Sequence, residues 1–239
     1  MSGKTIIITG AAGGLGSALS RACALAGFNT VMLDCDRPGL ENAWDRIAGQ
    51  GLPEPALYPL DLLGVGPEHF DELLEKVKEE FGGLDALVHC AARFDGLTPL
   101  EQFPPPEWLA TIQVNLNAAW LLSAQSLPLL KQSDSGRLYF MLEDLPKVSG
   151  AFWGAYGVSK HALKALVSQF VIECKSSSVQ VLGINPGVMR SALRSRAYYA
   201  ENPQRAPNPE TAAFRILQFL QGDVAPATEF IDLGIAHTS

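Results

Sequence analysis

The stretch Lys4-Thr5-Ile6-Ile7-Ile8-Thr9-Gly10-Ala11-Ala12-Gly13-Gly14-Leu15-Gly16 decides the fold. Its first half is a short apolar, β-branched run, the pattern of a parallel strand buried on both faces. Its second half is glycine-rich. Directly after it, Ser17 to Ala26 is rich in Ala and Leu and reads as a helix ending at Gly27. Strand, glycine turn and helix start, in that order, suit a pyrophosphate. The glycines let the backbone approach closely, and the helix N-terminus offers unpaired N–H groups and a partial positive charge.

A second strand, Thr30-Val31-Met32-Leu33, leads into Asp34, about two dozen residues past the first glycine. A carboxylate there accepts both hydroxyls of an adenosine ribose and repels a 2′-phosphate. NAD is therefore expected ahead of NADP, which Arg37 would favour only by turning inward. Asp34 acting merely as a helix cap or loop residue is the plainer alternative.

The same alternation runs to the end of the chain. Residues 38–50 and 67–81 read as amphipathic helices, with a turn at 51–55 and a short strand at 56–60 that ends in Asp61-Leu62. A strand at 84–89 runs into Cys90-Ala91-Ala92, and a proline-rich loop at 93–106 precedes a long helix at 107–130. Asn115 and Asn117 are unfavourable inside that helix unless something uses them. Strands are expected at 136–142, 179–184 and 228–233, with a helix at 210–220 and irregular chain at 188–209. Such alternation means βαβ units, right-handed crossovers and a parallel sheet covered on both faces. One domain is expected to span residues 1–239.

Composition narrows the partners. The chain carries 25 Asp+Glu against 18 Lys+Arg, a net charge of -7, which argues against nucleic acid and anionic membranes. No apolar run approaches the roughly 18 residues that span a bilayer. The first strand begins too early to leave room for a signal peptide. Cys23, Cys35, Cys90 and Cys174 are scattered, as reduced thiols of a cytoplasmic protein would be, and no metal site is expected. His89 reads as a structural residue at a strand end.

Tyr156-Gly157-Val158-Ser159-Lys160 sets a phenol and an ammonium one helical turn apart. A nearby cation favours the phenolate, so the Tyr156 pKa is expected to fall, readying it for general acid or base work. Alone, this spacing is common on solvated helix faces.

Taken together, these residues resemble the short-chain dehydrogenase/reductase family over nearly the full length. The matching pieces are Thr9-Gly10-x-x-x-Gly14-x-Gly16, Asp34, Asp61-Leu62, Ala91-Ala92, Asn115, Tyr156-x-x-x-Lys160, and Asn185-Pro186-Gly187 followed by Ser191. Trp153-Gly154-Ala155-Tyr156, Arg190, Arg194 and Glu201 to Gln204 look like a bacterial subgroup of unknown substrate. The resemblance implies a Rossmann fold, a doubly wound parallel sheet of about seven strands. It implies an NAD(P)-dependent oxidoreductase acting on a small carbonyl, alcohol or conjugated ring. Tyr156 would pass the proton, Lys160 would hold the nicotinamide ribose and lower the tyrosine's pKa, and Asn115 would fix a water that relays protons to Lys160. Gly10, Ala12, Gly14, Leu15 and Gly16, with Asp34, Asp61, Leu62, Ala91 and Ala92, would bind the cofactor. Pro186, Gly187 and Val188 would line the nicotinamide, with Ser191 near its amide. Residues 188–209 would form a substrate lid, whose Arg190, Arg194, Arg196, Tyr198 and Tyr199 fit an anionic or aromatic ligand or a solvated loop. The long helices at 107–130 and from Tyr156 to Cys174 imply a homodimer or homotetramer.

One position departs from the family. The serine expected thirteen residues before the tyrosine is replaced by Glu143. An ionised carboxylate only accepts hydrogen bonds, and beside an oxygen that gains negative charge it opposes the reaction. It would also raise the Tyr156 pKa. Four readings stay open. Glu143 is protonated and donates, or it faces a cationic or hydroxyl-donor substrate group. Alternatively, the site has lost the usual chemistry and leaves a dinucleotide-binding sensor or structural protein, or Glu143 points outward while Ser149 swings in.

Overall fold

In the computed structural model, which describes residues 3–49 and 53–234, seven parallel strands form one sheet in the order β3-β2-β1-β4-β5-β6-β7. The strands are β1 Thr5–Thr9, β2 Asn29–Asp34, β3 Ala56–Pro59, β4 Ala86–His89, β5 Arg137–Met141, β6 Gln180–Asn185 and β7 Phe230–Asp232. The chain winds outward from β1 to β3, then crosses back to place β4 on the other side of β1. That reversal opens a crevice at the C-terminal ends of β1 and β4, where ligands of doubly wound sheets bind.

Side-chain alternation along each strand builds two cores. Ile6, Ile8, Met32, Val88, Tyr139 and Ile184 face one side. They are covered by α1 (Gly14–Leu25), α2 (Arg37–Ala48) and α9 (Pro209–Gln221). Ile7, Val31, Leu33, Leu87, Leu138 and Phe140 face the other side. Their cover is α3 (Pro67–Phe81), α5 (Ala118–Leu130) and α7 (Gly154–Cys174). The three central isoleucines of β1 are wholly buried, each contributing about 1.5–3 kcal/mol of apolar transfer.

The structure corrects the sequence reading in several places. The single helix expected at 107–130 is three pieces: α4 (Pro105–Ile112), a π-helical turn at Gln113–Asn117, and α5. The widened turn inserts a residue and re-aims Asn115, a common device at functional sites. The segment 188–209 is not uniformly irregular. It contains α8 (Ala192–Ala197), capped by Ser191 Oγ, which accepts from Arg194 N at 3.1 Å, and a short 3-10 turn at Pro203–Arg205. A short helix, α6 (Leu145–Val148), follows Glu143, started by Asp144 Oδ1 accepting from Lys147 N. The turn expected at 51–55 lies partly outside the described residues.

Candidate active site

A cavity of about 970 Å³ runs along the C-terminal ends of the strands, from the glycine turn to α8. Its floor near β1 depends on backbone that only glycine tolerates. Gly10 has φ +68°, and a Cβ there would lie 2.6 Å from Ala91 N. A Cβ on Gly16 would run into the Gly10 carbonyl oxygen. The start of α1 is capped by Gly13 with no side-chain hydrogen bond, and its first turn holds no acidic residue. Its N–H groups thus remain for an anion, the chemistry a pyrophosphate needs.

Gly10, Gly14, Leu15 and Gly16 all line this end, as do Asp34, Asp61 and Leu62. Ala12 does not. Its N–H is donated at 3.0 Å to Asp34 Oδ2, while Asp34 Oδ1 accepts from Asp36 N at 3.0 Å. Asp34 therefore braces the glycine turn as well as facing the cavity, and Asp36 caps α2. Arg37 pairs with Glu41 at 3.0 Å. Ala91 and Ala92 line the middle of the cavity, and Ala91 N donates to Thr9 Oγ1. Pro186, Gly187, Val188 and Ser191 line the far side.

At the other end, α7 presents Tyr156 and Lys160, both 3% exposed and both lining the cavity. Tyr156 OH donates to Glu143 Oε2 at 3.0 Å. Lys160 Nζ donates to Met141 O at 2.8 Å and lies 5.6 Å from the centre of the Tyr156 ring. The fall in the Tyr156 pKa expected from Lys160 does not occur, and the rise expected from Glu143 does. Burial, then the Glu143 charge and its hydrogen bond, hold the phenol well above its ordinary value of 10. The Lys160 ammonium is tied to a backbone carbonyl, and burial lowers its own pKa to about 8, against the opposing pull of Glu143. Ser149 does not swing in. Its hydroxyl donates to Leu145 O and shares a 3.0 Å bond with His161 Nε2, so Glu143 is the group that meets Tyr156.

Asn115 is buried and does not line the cavity. Its Oδ1 accepts from Arg93 N at 2.6 Å, and its Nδ2 donates to Arg93 O and Ser159 Oγ, each at 3.0 Å. The amide thus ties the exit of β4 to α7, one residue from Lys160. His89 is structural: it bonds Ser123 Oγ at 2.8 Å, stacks on Phe140, and burial lowers its pKa to about 3. Among the described residues no His, Cys, Asp and Glu cluster could hold a metal ion, and none of the helices is long and apolar enough to cross a membrane.

An aromatic wall stands beside Tyr156, built from Trp153 and Tyr198, which the sequence already marks, and Phe94, which it does not. Phe94, Trp153 and Tyr156 pack ring against ring at 5.1–5.8 Å, and Tyr198 meets Trp153 at 6.3 Å. Phe94 comes from the loop after β4, where no periodicity marks it. Two arginines of 188–209, Arg194 and Arg196, line the cavity and are engaged elsewhere. Arg194 pairs with Glu201 at 2.8 Å and covers the Tyr198 ring, while Arg196 donates to Phe94 O. Tyr199 is 91% exposed.

Comparison with known proteins agrees with this geometry. Residues 4–202 match the family profile for short chain dehydrogenases. YciK, an uncharacterized oxidoreductase of Escherichia coli K12, is 30% identical over 206 residues, covering 86% of this chain and 81% of its own. A structure described as a short chain dehydrogenase from Pseudomonas syringae superposes with a TM-score of 0.91 at 35% identity, over 97% of this chain and 94% of that one. A Shigella flexneri short chain dehydrogenase solved with NADP gives a TM-score of 0.90 at 28% identity, covering 96% and 95% of the two chains. The glycine turn, the buried Tyr156–Lys160 pair and these matches lead to one conclusion: the chain belongs to the short chain dehydrogenase family and is a nicotinamide-dependent oxidoreductase.

Proposed function

We propose that the chain moves hydride between a nicotinamide dinucleotide and a small carbonyl, alcohol or conjugated-ring substrate, with Tyr156 as the proton-transfer group. The observation that carries this is the buried Tyr156 hydroxyl beside Lys160 in one cavity with the glycine turn. The bound cofactor supplies or accepts the hydride. The chain supplies the rest. The start of α1 and the glycine turn hold the pyrophosphate, and Asp34 meets the adenosine ribose. Lys160 holds the nicotinamide ribose, with Pro186, Gly187 and Val188 against the ring and Ser191 near its amide. Asp61 and Leu62 border the adenine side, and Ala91 and Ala92 leave room for the sugar. Asn115 acts as a positioning residue through Arg93 and Ser159. Glu143 replaces the family serine and faces the reacting oxygen or nitrogen. Residues 188–209, with α8, close over the substrate.

NAD is the preferred cofactor in this reading. The Asp34 carboxylate lines the cavity, and Arg37, the nearest cation in sequence, is spent on Glu41. The Shigella flexneri relative holds NADP, so the preference is a property proposed for this chain. Equal calorimetric affinities for NAD and NADP would remove it. A homodimer or homotetramer is proposed from the exposed Leu109, Trp120, Val158 and Ile172 on α4, α5 and α7. A monomer in light scattering at micromolar concentration would contradict that.

The test of function follows nicotinamide absorbance over aldehydes, ketones, quinones and pterins, for wild type and for Glu143→Ser. Turnover by either protein supports the reading. Glu143, by holding the Tyr156 proton, favours a second reading, a dinucleotide-binding protein without dehydrogenase turnover. Tight cofactor binding with no turnover by either protein would establish that one.

A further inference from the structure

We propose that the substrate carries a cationic nitrogen, as a cyclic iminium ion or the amine it becomes, set against Glu143 and flanked by Phe94 and Trp153. This rests on the oxidoreductase reading and narrows it to carbon–nitrogen bonds. The Glu143 carboxylate lines the cavity, accepts from Tyr156 OH and from Asp144 N, and belongs to none of the ion pairs among the described residues. The cations that line the same space are committed elsewhere. Arg194 is paired with Glu201, Arg93 with Asp95, Arg196 donates to Phe94 O, and Lys147 stands over the Tyr198 ring at 4.6 Å. Lys160 acts on Glu143 only through space, because its ammonium is held by Met141 O. A second carboxylate, Asp144, lines the cavity next to Glu143.

A carbonyl oxygen that gains negative charge beside a carboxylate is opposed by it. For an iminium nitrogen the sign reverses. The carboxylate attracts the cation and keeps the C=N nitrogen protonated, the form that accepts hydride. In the direction of amine oxidation it stabilises the charge that develops on nitrogen. Phe94 and Trp153 line the cavity beside Tyr156, the partner of Glu143, and aromatic rings attract a cation. The step balances without a protein proton. Hydride from the reduced nicotinamide forms the new C–H bond with its two electrons, and the C=N π pair becomes the nitrogen lone pair. The product is a neutral amine that takes its proton from solvent. In this step Tyr156, which donates to Glu143, positions the carboxylate, and its proton-transfer role belongs to carbonyl and alcohol substrates.

The test uses the full chain with reduced nicotinamide and two probes of similar size: N-methyl-3,4-dihydroisoquinolinium, a permanent cation, and 1-tetralone, a neutral ketone. The expected result is a kcat/KM for the cation at least tenfold above that for the ketone, with the ratio falling at least tenfold in Glu143→Gln. Calorimetry of N-methylisoquinolinium on the protein loaded with oxidised cofactor should show binding at least tenfold weaker in Glu143→Gln, with cofactor affinity unchanged as the check on folding. Consumption of the ketone alone, or equal cation binding by wild type and Glu143→Gln, overturns the iminium proposal and leaves the oxidoreductase reading standing. Cofactor binding with neither probe bound nor consumed overturns the iminium proposal. Failure to bind cofactor at all overturns both.

Discussion

Replacing Lys160 with methionine should change how stability depends on pH. The ammonium is buried, with one hydrogen bond, to Met141 O, and burial lowers its pKa from 10.5 to about 8. The unfolded chain therefore keeps this proton up to pH 10.5, while the folded chain gives it up near pH 8. Between those values the unfolded state binds more protons, so the Lys160 contribution to stability rises with pH and is lost as pH falls back through 8. From 10.5 to about 8, at about 1.4 kcal/mol per pH unit, the full swing is about 3 kcal/mol. The part between pH 7 and pH 9.5 is about 2 kcal/mol. Methionine has a similar length and no titrating group, so Lys160→Met removes the swing while other ionisations cancel in the difference. Urea denaturation of both proteins, followed by tryptophan fluorescence across that range, reads it directly. Wild type should gain about 2 kcal/mol on the variant as pH rises. A constant difference, or a loss, would show that Lys160 is not a desolvated cation and would refute the reasoning.

Two further outcomes follow from the backbone and from Asn115. Gly16→Ala places a Cβ against the Gly10 carbonyl and shifts α1 off the glycine turn. Calorimetry should show cofactor affinity falling at least tenfold, and an unchanged affinity would mean the turn does not hold the pyrophosphate. Asn115→Ala strands the Arg93 N–H and carbonyl and loosens Ser159. The cost is about 2–4 kcal/mol, or about 5–10 °C in Tm, and an unaltered melting temperature would show that the π-helical turn holds its place without it.

What could be read from the chain was whatever local pattern dictates. Ile6 to Ile8 and the glycines after them announce strand, turn and helix by composition alone, and the βαβ rhythm then fixes a parallel sheet. Gly10 to Gly16, Asp34 and the Tyr156–Lys160 spacing gather at one crevice because that topology brings strand C-termini together. The features that escaped depend on contacts distant in sequence. The π-helical turn at Gln113–Asn117 leaves no trace in hydrophobic periodicity, because one extra residue shifts the register only locally. The partners of Asn115 lie 22 and 44 residues away. Phe94, Trp153 and Tyr198 meet from three separate loops. Sequence spacing shows a lysine one turn from Tyr156 and a carboxylate thirteen residues before it, with opposite effects on the phenol, and which prevails depends on the depth of burial and on where the Glu143 carboxylate points. Ser149 was a reasonable stand-in by position, yet the short helix α6 directs its hydroxyl to Leu145 O.

The central claim is that burial and the Glu143 carboxylate, rather than the neighbouring ammonium, set the proton on Tyr156. The most direct measurement is an ultraviolet titration of tyrosinate in which the curve of Tyr156→Phe is subtracted from that of wild type, repeated in the Glu143→Gln background. The Tyr156 phenol should stay protonated through pH 10 in wild type, and its ionisation should move to lower pH once Glu143 loses its charge. Tyrosinate appearing below pH 10 in wild type, or an ionisation that ignores Glu143→Gln, would contradict the account.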